Sequence, residues 1–206
     1  MNNFIKRLFV AVLLSPIILF TIYYGGMYFN ILIILLIIFG FYEIFLLKKF
    51  YIKLTLLIIF IFFIFALYKL RYSHDNYGVY YLFFCILVTW FSDTGGYIFG
   101  KIFKGKKINI ISPNKTFSGF FGALLMPQIL TLCSYSEKII ILDIQKNIYI
   151  YVLMLSLISI IGDLFFSYIK RISNIKDYSN LIPGHGGLFD RIDSLIFVII
   201  TFFLII

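Results

Sequence analysis

The densest chemistry in this chain lies between Ser167 and Ser194. Four cations (Lys170, Arg171, Lys176, Arg191) share the stretch with three carboxylates (Asp177, Asp190, Asp193). Among them runs Pro183-Gly184-His185-Gly186-Gly187. Glycines let the backbone approach a ligand closely, and backbone N–H groups in such a turn can form an anion-binding nest. Cations, carboxylates and a glycine turn together suit a phosphate-bearing ligand with a bound divalent cation. Mg²⁺ usually takes one or two carboxylates plus substrate phosphates. Asp190 and Asp193 are three apart, so on a helix they share a face. His185 could bind a metal, donate to a phosphate or hold the turn. With no second His or Cys beside it, a zinc site is poorly served. Basic loops also attract anionic lipid headgroups, but that reading leaves Asp-x-x-Asp beside Gly-His-Gly-Gly unexplained.

Two further carboxylates sit in apolar surroundings. Asp93 lies in Trp90-Phe-Ser-Asp-Thr-Gly-Gly-Tyr97, and Asp163 in Ile160-Ile-Gly-Asp-Leu-Phe-Phe-Ser167. A carboxylate at membrane depth costs about 3 kcal/mol on insertion scales and usually faces a cavity or a partner. Glu43, close to Lys48 and Lys49, reads as an interfacial charge.

The elements that must carry these groups follow from composition. Of 206 residues, 62% are hydrophobic and only 13% charged, with a mean hydropathy of +1.03. Soluble domains carry about 25% charged residues, so a soluble enzyme is excluded. A disordered chain, which needs low hydrophobicity and high charge, is excluded too. Seven apolar runs are long enough to predict membrane helices: about 8–24, 28–47, 54–70, 79–99, 118–134, 148–168 and 194–206. The fifth is interrupted by Gly119, Gly122, Pro127 and Gln128, and the first is read as a span rather than a removed leader. Strict alternation of the kind found in membrane barrels is absent. Cys85 and Cys133 lie far apart in apolar runs and read as packing residues.

With the N-terminus in the cytoplasm, only Lys69, Arg71, Lys138 and Lys146 of the 18 basic residues fall on the far side. The other 14 face the cytoplasm, as the positive-inside rule favours. The expected fold is therefore all-α and polytopic, with about seven transmembrane helices and a polar site at the cytoplasmic face. Residues 1–90 form an N-terminal helical region. Residues 91–206 form a catalytic region with cytoplasmic loops at 100–117 and 169–193. No internal repeat is visible, which disfavours a transporter built from repeated halves.

The stretch resembles the signature of the CDP-diacylglycerol synthases, or phosphatidate cytidylyltransferases. The matching positions are Ser167, Lys170-Arg171, Lys176-Asp177, Pro183, His185-Gly186-Gly187 and Asp190-Arg191-Ile192-Asp193. The likeness extends upstream to Ser92-Asp93-Thr-Gly-Gly-Tyr97, Gly100-Lys101, Ser112-Pro113-Asn-Lys115-Thr116 and Gly162-Asp163-Leu164, so it covers about residues 90–195. Two departures stand out. Ser118 occupies a position where the family commonly has Glu, and the region ahead of residue 90 is shorter than in many members.

The resemblance implies transfer of the cytidylyl group of CTP to phosphatidic acid, giving CDP-diacylglycerol and pyrophosphate. It implies a two-cation site, Mg²⁺ with K⁺, on Asp163 and Asp190. Lys170, Arg171, Lys176 and Arg191 would bind the phosphates. Asp177 and Asp193 would orient those basic groups or complete the outer metal shell. His185, Gly186 and Gly187 would shape the nucleotide loop, and Asp93, Ser112, Lys115, Thr116 and Ser167 would add substrate contacts. The expected partners are CTP, phosphatidic acid and the membrane, with no nucleic acid and a homodimer as the assembly. The expected location is the cell membrane, with the site facing the cytoplasm. A related CTP-dependent lipid-alcohol kinase is the alternative, but it should lack the full Lys-Asp to Asp-Arg-x-Asp run.

Overall fold

The computed structural model describes residues 3–72, 77–107, 115–136, 148–182, 184 and 186–206, with side chains described from Val12 and not at 133–136. Among these residues there are seven helices and two isolated β-bridges. The helices are α1 (Asn3–Tyr24), α2 (Gly26–Leu46), α3 (Phe50–Tyr72), α4 (Gly78–Phe103), α5 (Phe117–Ser136), α6 (Ile148–Ile172) and α7 (Phe189–Ile205). Four of them, α2, α3, α4 and α6, are long and apolar enough to cross a membrane. Shorter apolar segments cover Val12–Tyr24 and Phe117–Leu132. The protein is a multi-pass membrane protein whose outer surface is apolar, with Phe45 and Phe50 almost fully exposed.

Two expected boundaries move, and both moves matter for the site. Helix α6 runs on to Ile172, so Lys170 and Arg171 stand on helix rather than in a loop, alongside Ser167. Helix α7 begins at Phe189 rather than at Ser194, which puts Asp190 and Asp193 in its first turns. The polar run Asp190–Ser194 reads as loop by hydropathy, yet acidic residues favour the positive end of a helix. The expected loop 169–193 thus shrinks to 173–188, and 100–117 to 104–116.

Between lipid-facing helices there is little hydrophobic drive to associate, so close backbone packing must do more of the work. The α4–α5 pair shows this. A Cβ on Gly119 would stand 2.8 Å from the Gly96 carbonyl, and one on Gly122 2.5 Å from the Gly95 carbonyl. The glycines that interrupt the fifth apolar run are therefore a seam against α4. Gln128, also polar in that run, donates to the Tyr149 carbonyl at the start of α6 (3.3 Å).

Helix α7 packs against α3, α4 and α6. Its Phe189 is fully buried, 5.3 Å from the ring of Phe60 on α3 and 5.7 Å from that of Phe166 on α6. At the opposite end, Arg71 of α3 donates to the Ile22 (2.8 Å) and Tyr23 (3.2 Å) carbonyls that end α1. These are carbonyls that no helix can satisfy internally. Cys85 is buried as expected, while the Cys133 side chain lies outside the described residues.

Candidate active site

The C-terminal turns of α6 carry Asp163, Ser167, Lys170 and Arg171, spaced so that they share a face. Ser167 donates to Asp163 Oδ1 over 3.4 Å. The helix stops in a left-handed residue, Asn174 (φ 54°). Its N–H reaches the Arg171 carbonyl (3.1 Å) and the Ile175 N–H reaches that of Lys170 (3.0 Å). This paired pattern closes a helix end and turns the chain back over the site.

The returning loop is anchored by Tyr178, a residue the sequence did not single out. Its ring lies 5.5 Å from Phe189 and 6.1 Å from Phe166, and its hydroxyl donates to the Phe166 carbonyl (3.2 Å). Burial, followed by the nearby Asp190, pushes its phenol well above the usual range. The glycine turn follows, pinned by Ile182 N–H to the Gly186 carbonyl (2.9 Å). Gly186 has φ 82°, and a Cβ there would stand 2.9 Å from Asp190 Oδ2, so both conformation and space demand glycine.

Asp190 is the hub of this loop. Its Oδ1 pairs with Lys170 Nζ at 2.9 Å, and its Oδ2 accepts the N–H groups of Tyr178 and Gly187, each at 2.9 Å. Glu43 reaches the same turn from α2. Its Oε1 accepts from Leu188 N–H (2.5 Å) and the Ser179 hydroxyl (2.7 Å), and its Oε2 from Phe189 N–H (2.9 Å). Glu43 is fully buried, so the expectation of an interfacial charge beside Lys48 and Lys49 is wrong. The turn does form a nest, but its N–H groups at 187–189 hold the protein's own carboxylates rather than lying free for a ligand.

On the other side, Thr116 caps α5 by accepting the Gly119 N–H (3.1 Å), as Thr does at helix starts. Ser118 bonds with the Thr116 hydroxyl (3.0 Å) and accepts the Gly105 N–H (3.3 Å), which closes loop 104–116 at its base. Lys115, just ahead of the cap, pairs with Asp163 Oδ2 at 2.5 Å. Helix α7 comes close to α6 at Gly162, where a Cβ would stand 3.1 Å from the Asp193 carbonyl oxygen. Asp193 accepts from its neighbour Ser194 N–H (2.8 Å), and Ser194 donates to Asp93 on α4 (3.3 Å).

These elements enclose a cavity of about 550 Å³. Its polar wall holds Ser92, Asp93, Lys115, Asp163, Asp190 and Asp193, with Thr116 at the edge. Phe120, Ala123, Leu157, Ile160, Ile161 and Leu164 make an apolar wall from α5 and α6. Four carboxylates from three helices therefore meet two ammonium groups, Lys115 on Asp163 and Lys170 on Asp190, which leaves Asp93 and Asp193 with no ion pair among the described residues. The Ser92 hydroxyl is buried in the same wall with no hydrogen-bond partner among the described residues. No group of three metal-ligating side chains is assembled among the described residues, but the unpaired carboxylates and the orphaned hydroxyl are oxygen donors of the kind a hard cation takes.

Of the residues expected from sequence, Asp93, Lys115, Thr116, Asp163, Asp190 and Asp193 meet in this cavity. Lys170 and Ser167 join it through Asp190 and Asp163. Arg171, Lys176, Asp177 and Arg191 are exposed on the helix ends and the loop around it. A Cβ on Gly186 would stand 3.4 Å from the Asp177 Cβ, so the glycine turn backs directly onto that residue. Ser112, Pro183 and His185 lie outside the described residues.

Comparison with known proteins identifies the family. Residues 48–206 match the model of the cytidylyltransferase family. A phosphatidate cytidylyltransferase from Staphylococcus haemolyticus is 40% identical over 135 residues, covering 62% of this chain and 49% of that protein. The enzyme of the same name from Staphylococcus aureus strain COL is 39% identical over 132 residues, with the same coverage. The chain thus spans about half the length of the curated relatives it matches.

Proposed function

This chain belongs to the cytidylyltransferase family, and from that premise we propose that it transfers CMP from CTP to phosphatidic acid. In the reaction a phosphate oxygen of phosphatidate attacks the α-phosphorus of CTP. One P–O bond forms, the bond to the β-phosphate bridge breaks, and pyrophosphate leaves with the electron pair. The protein supplies no covalent nucleophile. Its task is to bring two polyanions together and offset the charge that develops.

The observation that carries this reading is the cavity's division into two halves. Carboxylates and Lys115 line one side, and α5 and α6 offer hydrocarbon on the other. A ligand with a charged head and an acyl-bearing body suits both walls at once. Asp163 and Asp190 would hold Mg²⁺ with K⁺ as the second cation. Bound there, the cations supply charge neutralisation at the phosphate oxygens. Lys170, bonded to Asp190, and the exposed Arg171, Lys176 and Arg191 would attract the triphosphate and the lipid phosphate. Asp193, Asp93 and Ser167 would orient groups within the site and Asp177 would support the turn at Gly186 and Gly187; by the family resemblance, Ser112 would add a substrate contact and His185 would shape the nucleotide loop. Lys115, held on Asp163, stands ready to exchange that carboxylate for a phosphate oxygen.

The charge bias of the loops supports seven spans with the N-terminus in the cytoplasm of a cell-membrane protein; a homodimer is the assembly that the family resemblance implies. The motifs all lie beyond about residue 90, which supports a division there between an N-terminal helical region and a catalytic region. CTP is a cytoplasmic solute and phosphatidate a leaflet lipid, so a polar site at the cytoplasmic face is where they meet.

The test is incorporation of α-labelled CTP into chloroform-soluble lipid by purified protein in phosphatidate-containing proteoliposomes. Label should enter lipid only when phosphatidate and Mg²⁺ are both present. Label transferred from γ-labelled CTP instead would favour the lipid-kinase alternative.

A further inference from the structure

We infer that Glu43 is a positioning residue for the site, holding the turn before α7 so that Asp190 is set in the cavity wall. The inference rests on the proposed cytidylyltransferase reading for the meaning of the site, and on geometry alone for the role of Glu43. Glu43 lies on α2, ahead of the residues 48–206 that match the family model.

Three consecutive backbone N–H groups are divided between two carboxylates. Gly187 N–H goes to Asp190, while Leu188 and Phe189 N–H go to Glu43. The turn is thus clamped from both faces. Glu43 also takes the Ser179 hydroxyl, so it ties the middle of the loop to its end. Its carboxylate lies so close to Gly187 that an added Cβ would stand 2.5 Å from Oε1. The fit is therefore specific to glycine at 187 and to a carboxylate facing it.

This arrangement makes the link to the cavity direct. Asp190 stands one residue beyond Phe189, in the first turn of α7. Whatever shifts the N–H groups of 188 and 189 shifts Asp190 and its bond to Lys170 with them. A buried carboxylate left without donors is costly, and so is a buried N–H left without an acceptor. Each partner therefore confines the other. Helix α2 contributes a restraint to a site otherwise built from α4 to α7, across 145 residues of sequence.

The test compares the full-length wild type, Glu43→Gln and Glu43→Asp in the same detergent and in proteoliposomes. Gln keeps the shape but turns one acceptor into a donor facing N–H groups. Amide hydrogen exchange over residues 179–190, with no nucleotide present, should be about tenfold faster in Glu43→Gln, as expected for losing a charge-assisted bond. Its kcat/KM for CTP should fall about 10²-fold, as small misplacements of catalytic groups do. Glu43→Asp, which keeps two anionic acceptors, should recover part of both. Exchange at the wild-type rate overturns the inference. So does a variant that only melts earlier while its folded fraction keeps wild-type kcat/KM. A wild type that turns over no CTP overturns the reaction reading instead, and the exchange measurement still decides whether Glu43 holds the turn.

Discussion

Replacing Asp190 by Asn tests the hub of the site with the least change of shape. Asp190 has a side chain only 5% exposed, and it receives one ammonium and two backbone N–H groups at 2.9 Å each. Asn has a single oxygen. If that oxygen keeps the Tyr178 and Gly187 N–H groups, the amide NH₂ must face Lys170 Nζ, donor against cation. If it turns to Lys170, two buried N–H groups lose their acceptor. Breaking a buried charge pair typically costs about 3–5 kcal/mol. Here Lys170 is 18% exposed and can turn toward water, so the lower end, about 3 kcal/mol, is the appropriate figure. If that cost falls on the closed loop, its population drops by about 10²-fold. The loss of an anionic oxygen in the cavity adds to it. The assay is kcat for lipid labelling from α-labelled CTP across a Mg²⁺ titration, with tryptic cleavage after Lys176 as a measure of loop opening. We expect at least about 10²-fold lower kcat and faster cleavage. A variant within about twofold of wild-type kcat at all Mg²⁺ concentrations would refute the assignment of Asp190 to the site.

Three further outcomes follow from other contacts. Lys115→Met removes the only ammonium in the cavity wall among the described residues, and kcat/KM for CTP should fall about 10²-fold while the melting temperature changes little. Gly95→Val forces a side chain against the Gly122 carbonyl and Met126, so it should destabilise the folded protein by about 1–3 kcal/mol, read by melting in detergent. The buried Tyr178 phenol is held above its ordinary value of 10.0. The folded state then keeps a proton that the unfolded state gives up, so stability from this group is complete below pH 10 and declines as pH rises through it. Melting curves between about pH 8 and 11 should show that decline, and Tyr178→Phe should flatten it.

Much of the architecture was legible because lipid imposes a simple rule: long apolar runs become helices. Asp93, Asp163, Asp190, Asp193 and Lys115 could be picked out because charge is rare in such a chain and its placement is informative. Hydropathy misplaced the start of α7, since Asp190 and Asp193 count as polar loop residues although the fold neutralises one and turns both into a cavity. Glu43 was misread for a related reason. Two lysines follow within six residues, and its true partners lie more than 130 residues on. Tyr178 was one of 16 tyrosines and carried no mark of its own. Local spacing cannot reveal a contact that only tertiary packing creates.

The glycine seam between α4 and α5 bears on how the site can move. Side chains that separate two helices have rotamers, and changing them lets the helices part or slide. Where carbonyl oxygens meet Cα atoms, that freedom is missing. Asp93 belongs to one partner of the seam, and Thr116 with Lys115 leads into the other. Those groups share a single rigid frame, and any widening of the cavity to admit a ligand falls to α6 and α7.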